Sequence, residues 1–247
     1  MPALTTPIIA ATALGYFTLA FLAHFFLQGS KWTGKLATKL ADAPDLVEWQ
    51  VYVEKTLGFI LFGLIPAIIF PLISHQPLYF YGVSWPNGSN LWLWFLGPVI
   101  LFLMFSLLRT SSSINTSYYP QVRKSTWDVP LLLRNGLFWV LYLIGYEFIF
   151  RGLLFFSCLS AFGFWPAVMS NCAVYSLSHI SKGASETFAA FFAGILFCYL
   201  AFRTNSMLIP FLLHVILALG NDLRAISENK DMRFSFKADQ KIGNESK

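Results

Sequence analysis

Residues 136–159 read GLFWVLYLIGYEFIFRGLLFFSCL, and within them only Glu147 and Arg151 carry charge. At about 1.5 Å of helical rise per residue, the run is long enough to cross a hydrocarbon layer of ~30 Å with some tilt. The two ions are four positions apart with the acid first, so on a helix they share one face a single turn apart and pair in the favourable orientation. An ionisable group at the bilayer centre costs roughly 2.5–3.5 kcal/mol on insertion scales. A helix that keeps two of them is therefore a membrane span and also a place to look for chemistry. A neutralised pair that only fixes helix packing remains the plain alternative for these two residues alone.

The rest of the chain repeats the apolar character of this stretch. Of its 247 residues 56% are hydrophobic and 12% charged, against ~25% charged in a typical soluble domain, and the mean hydropathy is +0.60. These values exclude a disordered chain and an ordinary soluble enzyme. Besides the quoted run, which ends at Leu159, apolar segments cover Ile8–Leu27, Thr56–Ile73, Leu91–Leu108, Phe164–Ile180, Thr187–Phe202 and Met207–Leu219. In lipid each must close its own backbone hydrogen bonds, so each is read as a helix. The expected fold is an all-α polytopic membrane bundle of about seven helices, with six to eight as the range. Cys158, Cys172 and Cys198 each lie in an apolar run without a CxxC pair and read as buried apolar residues.

The first segment has no basic region before it and no small-residue cleavage site after it, so it reads as a retained helix. With seven spans, one side receives Lys31, Lys35, Lys39, Lys55, Arg109, Arg123, Lys124, Arg134, Lys182 and the basic residues from Arg224 to Lys247. Arg203 falls on the other side, and Arg151 within a span. The positive-inside rule then puts the C-terminus in the cytoplasm, and a bacterial plasma membrane is the expected location. Trp32, Leu36 and Leu40 recur every four residues beside Lys31, Lys35 and Lys39, the pattern of a short helix in the headgroup layer. A solvated linker fits the same residues. The chain divides accordingly into an N-terminal membrane region, 1–130, with an interfacial segment at 29–50; core helices at 131–224; and a flexible cytoplasmic tail at 225–247.

Two further groups are candidates for chemistry. His179 follows Tyr175 by four residues near the end of the fifth segment, and His214 lies in the middle of the seventh. A lone membrane histidine is more often a satisfied core residue than a catalyst, but one carboxylate and two imidazoles on three helices could hold a water. The carboxylate would act as base and an imidazole would stabilise an oxyanion. Glu147, His179 and His214 also match the His₂Glu ligands of a hydrolytic zinc site, and spacing does not choose between the two. HExxH, GxSxG and GxGD are absent. His24 and His75 have no partner nearby in sequence and read as structural or interfacial.

From Gly145 to Asp222 the chain resembles the CPBP family, the CAAX-processing and bacteriocin-processing intramembrane proteases. Their pattern is EExxxR, then FxxxH, then HxxxN or HxxxB on separate helices. Glu147, Arg151 and the following Gly152-Leu153-Leu154 match the first motif, Tyr175 and His179 the second with Tyr for Phe, and His214 the start of the third. The resemblance implies an intramembrane endopeptidase acting on a membrane-associated protein or peptide, including prenylated CAAX-like C-termini. In this reading Glu147 activates water, His179 and His214 stabilise the oxyanion or bind metal, and Arg151 orients Glu147. Tyr146, Tyr175 and Asn221 have supporting roles.

Two positions depart from the pattern. Tyr146 stands where the family usually has its first Glu, and Ala218 stands four residues after His214 where a polar residue is usual. Tyrosine, with a reference pKa near ~10, is a poor base at neutral pH. Either Glu147 takes over, with Tyr146 as a hydrogen-bond donor, or Glu186 or Asp222 supplies a carboxylate. The different apparent depths of the two histidines favour a metal-free site over one built around zinc. A catalytically impaired scaffold or immunity-type protein is the alternative class, and a solute or proton transporter ranks third. Nucleic acid is not an expected partner, because the basic residues are distributed as topology demands.

Overall fold

The computed structural model describes residues 4–108, 116 and 118–235, with the side chains of 102–108 excepted. All seven apolar segments are helical. Helix α1 is Thr6–Leu27 and the short α2 is Lys31–Ala37. Helix α3, Leu46–Phe59, continues through a wide π-type stretch at Ile60–Leu64 into α4, Ile65–Ser74. Helix α5 is Leu91–Leu108. Helix α6, Val129–Glu147, runs through a second wide stretch at Phe148–Leu154 into α7, Phe155–Phe162. Helices α8, Phe164–Leu177, α9, Ala184–Thr204, and α10, Leu208–Glu228, complete the bundle. Five helical stretches among the described residues are long and apolar enough to cross a membrane. Leu19, Phe26, Leu72, Trp92, Leu133 and Phe188 are all at least two-thirds exposed around the outside. Such a surface suits lipid rather than water. The protein is an all-helical integral membrane bundle.

The α6–α7 stretch is the centre of the packing. Every residue from Gly145 to Cys158 is buried, and α1, α3, α8 and α10 surround it. Both wide stretches lie inside this core, and their loosened backbone is met from neighbouring helices. In the first, the N–H of Ile65 reaches back to the carbonyl of Ile60, and the hydroxyl of Tyr16 on α1 donates to the carbonyl of Leu61 at 2.7 Å. In the second, the carbonyl of Phe150 accepts the N–H of Phe155 and also the side-chain amide of Asn171 on α8 at 2.6 Å. A buried carbonyl left bare would cost of order 1–3 kcal/mol, so these bonds are what permit the irregular turns in lipid.

Segments that the positive-inside argument places on one side meet at one end of the bundle. Lys124 bonds Asp45, Arg134 bonds Glu48, and Lys182 donates to Tyr119. At the other end Ser84 donates to the carbonyl of Asn205, and Met207 N–H to that of Gly82.

Two sequence expectations need correction. Lys55 lies inside the bundle at 4% exposure rather than in a loop, on a helix α3 that begins at Leu46. The tail is ordered up to residue 235: α10 runs to Glu228, and a short strand β2, Arg233–Phe234, pairs in parallel with β1, Thr126–Trp127. Ile226 is buried in one apolar cluster with Trp127, against which Met232 and Phe234 also pack, and this anchors that part of the chain. Arg109 and the tail beyond residue 235 lie outside the described residues.

Helices α3–α4 and α6 touch backbone to backbone at Gly63 and Gly145. A Cβ on Gly63 would stand 2.9 Å from Cα of Gly145, whereas one on Gly15 meets nothing within 4 Å. Gly63→Val and Gly145→Val should each lower the thermal midpoint of the detergent-purified protein by several degrees, and Gly15→Ala should leave it unchanged or raised.

Candidate active site

Glu147 ends the regular part of α6 and Arg151 sits one wide turn later, both with side chains at 0% exposure. Arg151 Nη1 donates to Glu147 Oε1 at 3.1 Å. A guanidinium does not release its proton in a protein, so the pair is a carboxylate against a cation. The rest of the guanidinium lies over aromatic faces, 4.1 Å from the ring centre of Tyr175 and 5.0 Å from that of Phe197. Nε and Nη2 of Arg151 and Oε2 of Glu147 are buried without a hydrogen-bond partner among the described residues. The same carboxylate oxygen that takes Arg151 also accepts Nδ1 of His214 at 2.5 Å, across from α10. One buried carboxylate thus ties together two helices and a cation.

His179 is fixed differently. It follows the end of α8, and its Nδ1 lies 2.9 Å from the carbonyl of Tyr175 and 3.0 Å from Ser178 Oγ. A carbonyl only accepts, so Nδ1 carries the proton and Nε2 holds the lone pair. Ser178 Oγ donates to the same carbonyl at 2.7 Å and therefore receives the hydroxyl of Tyr146, 2.9 Å away. By the same reasoning Nδ1 of His214 donates to Glu147. Each imidazole thus has Nε2 left to meet a molecule from outside.

Both rings belong to the wall of one cavity of about 80 Å³, together with Tyr146, Ser178, His24, Lys55 and Lys182. The cavity is large enough to hold several waters. Lys182, on the turn between α8 and α9, is drawn down to about 8 by burial, against the opposing pull of Glu186 and Asp222. It is a cation at neutral pH and is lost as one above about pH 8.

The structure therefore joins Glu147, Arg151 and His214 in one set of polar contacts and Tyr146, Tyr175 and His179 in a second, and leaves other sequence candidates out. Glu147 is not part of the cavity wall; it is enclosed between Arg151 and His214, so it reaches the cavity only through the imidazole. Asn221 is also absent from that wall. Its neighbour Asp222 is buried at 2% exposure and accepts Asn135 Nδ2 at 2.9 Å and Trp139 Nε1 at 2.6 Å, so it is held away from the histidines. Glu186 accepts the hydroxyl of Tyr119 at 3.3 Å instead. Neither acid replaces the carboxylate lost at Tyr146. No three His, Cys, Asp or Glu side chains among the described residues form a metal-binding group. Glu147, His179 and His214, weighed above as an alternative zinc set, are not gathered as such a group.

Residues 125–219 match the family model described as type II CAAX prenyl endopeptidase Rce1-like. The match covers 95 of the 247 residues and makes this region similar to that family. No curated protein and no solved structure matches the chain. Glu147, Arg151, His179 and His214 all fall within the matched residues, which are similar to an intramembrane CAAX-type endopeptidase family. Lys55 and His24, which share the cavity wall, lie outside it.

Removing one partner of a buried pair leaves an uncompensated charge. Arg151→Met should cost about 3–5 kcal/mol in denaturant unfolding of the detergent-solubilised protein. Arg151→Met with Glu147→Gln should cost less than the sum of the two single changes, which a double-mutant cycle measures.

Proposed function

We propose that the chain hydrolyses a peptide bond near the C-terminus of a membrane-associated, CAAX-like protein or peptide, in the cavity that His179 and His214 share. The observation that carries this reading is the Glu147–His214 contact. A carboxylate on Nδ1 holds the imidazole in the tautomer whose Nε2 faces outward and stabilises the imidazolium that forms when Nε2 takes a proton. Water approaches Nε2 of His214 and loses a proton to it as its oxygen bonds to the scissile carbonyl carbon. His214 then returns that proton to the departing amine as the C–N bond breaks. Tyr146 turns its hydroxyl from Ser178 to the developing oxyanion, and His179 Nε2 accepts from the attacking water and orients it. Glu147 and Arg151 act through His214 and are positioning residues.

The reading extends to orientation. The end of the bundle that carries Lys124, Arg134 and Lys182 faces the cytoplasm of a bacterial plasma membrane, and with it the C-terminus. A second reading rests on Tyr146: with tyrosine at the family's usual first Glu and Glu147 enclosed, the fold serves as a binding scaffold.

The purified full chain in liposomes, given a farnesylated CAAX peptide, should release the C-terminal tripeptide. His214→Gln should slow this by at least a hundredfold, and a metal chelator should leave it unchanged. No release by the wild type, with release gained in Tyr146→Glu, would move the conclusion to the scaffold.

A further inference from the structure

Lys55 is a cation that the hydrolytic network does not use. It sits on α3 at 4% exposure in the wall of the same cavity as the two histidines. Its Nζ lies 3.0 Å from the ring centre of Trp139 and 5.5 Å from that of Tyr142. No acceptor among the described residues hydrogen-bonds to it. The indole N–H of Trp139 is given to Asp222, so a buried carboxylate polarises the ring beneath the ammonium and supports the cation without consuming its three donors. The other nearby acid, Glu54, is occupied elsewhere: its Oε1 accepts the N–H of Gly29 at 2.8 Å and the hydroxyl of Thr33 at 3.1 Å. Lys182 adds a second cation to the same wall while donating to Tyr119.

A buried ammonium with unused donors beside a cavity is a receptor for an anion. The remaining wall narrows its class. Phe21, Phe25, Val51 and Leu143 line the same cavity, as do the polar side chains of Gln28, Glu54 and Gln121. Lys55 and Lys182, on a wall shared with aromatic and aliphatic groups, suit an anionic group at the end of an apolar chain, and a peptide's terminal carboxylate is such a group.

We propose that Lys55 receives the free C-terminal carboxylate of a peptide that enters the cavity, which makes the site selective for chain ends over internal segments. The peptide's chemistry rests on the endopeptidase reading above; the receptor itself rests on Lys55.

The test uses the full chain in lipid nanodiscs and two farnesylated tetrapeptides, a free acid and its C-terminal amide, with the scissile bond N-methylated to block cleavage. One charge-assisted hydrogen bond should make the acid bind about ten- to a hundredfold more tightly than the amide. In Lys55→Met, which keeps the length and apolar stem of the side chain, the ratio should fall to near one, and Lys55→Gln serves if the first variant does not fold. Equal binding of acid and amide by the wild type would overturn the proposal, as would a ratio that survives in a folded Lys55 variant. Because binding is read without turnover, preference for the acid combined with no cleavage of the unmethylated peptide supports the receptor and removes the endopeptidase reading alone.

Discussion

The carboxylate of Glu147 is the constraint around which the bundle is arranged. In a low-dielectric interior an isolated carboxylate or guanidinium costs several kcal/mol even after relaxation, so neither Glu147 nor Arg151 could be kept at zero exposure without the other. The pair neutralises the charge, and His214 uses the remaining polarity. Tyr175 and Phe197 then close over the guanidinium with their ring faces, where water would otherwise be needed.

The irregular backbone follows from the same place. Arg151 lies in the wide stretch that joins α6 to α7, and a wide turn in lipid is tolerable only where neighbours meet the loosened carbonyls. Asn171 does so here, and Tyr16 does so for the facing stretch on α3–α4. The glycine contact between Gly63 and Gly145 lets the two irregular stretches approach, which sets the helix beneath Tyr146 and Glu147. The outcome is one face turned to the cavity, carrying Tyr146, and one turned inward to His214, carrying Glu147.

Much of this was legible in the sequence, because the cost of burying charge in lipid makes Glu147, Arg151, His179 and His214 conspicuous in apolar runs. The pairing of Glu147 with Arg151 follows from their spacing alone. The partnership with His214 is 67 residues away in sequence and has no local signature. Lys55 reads as a loop charge because hydropathy rises only after it. The available signal was Trp49, Tyr52, Val53 and Thr56, a helical periodicity that carries α3 back through Lys55. The order beyond residue 225 has no such signal: it depends on the apolar cluster that holds Ile226 and Trp127, with Met232 and Phe234 against it, and on two paired residues rather than on periodicity.

His214 is proposed as the group through which the buried carboxylate reaches a substrate. Its most direct test compares membrane-protein termini by mass spectrometry in cells carrying the wild-type chain or His214→Gln, at matched levels of folded protein. The account predicts new C-termini that appear only with the wild type. Indistinguishable profiles, with CAAX-like substrates expressed in both, would contradict it.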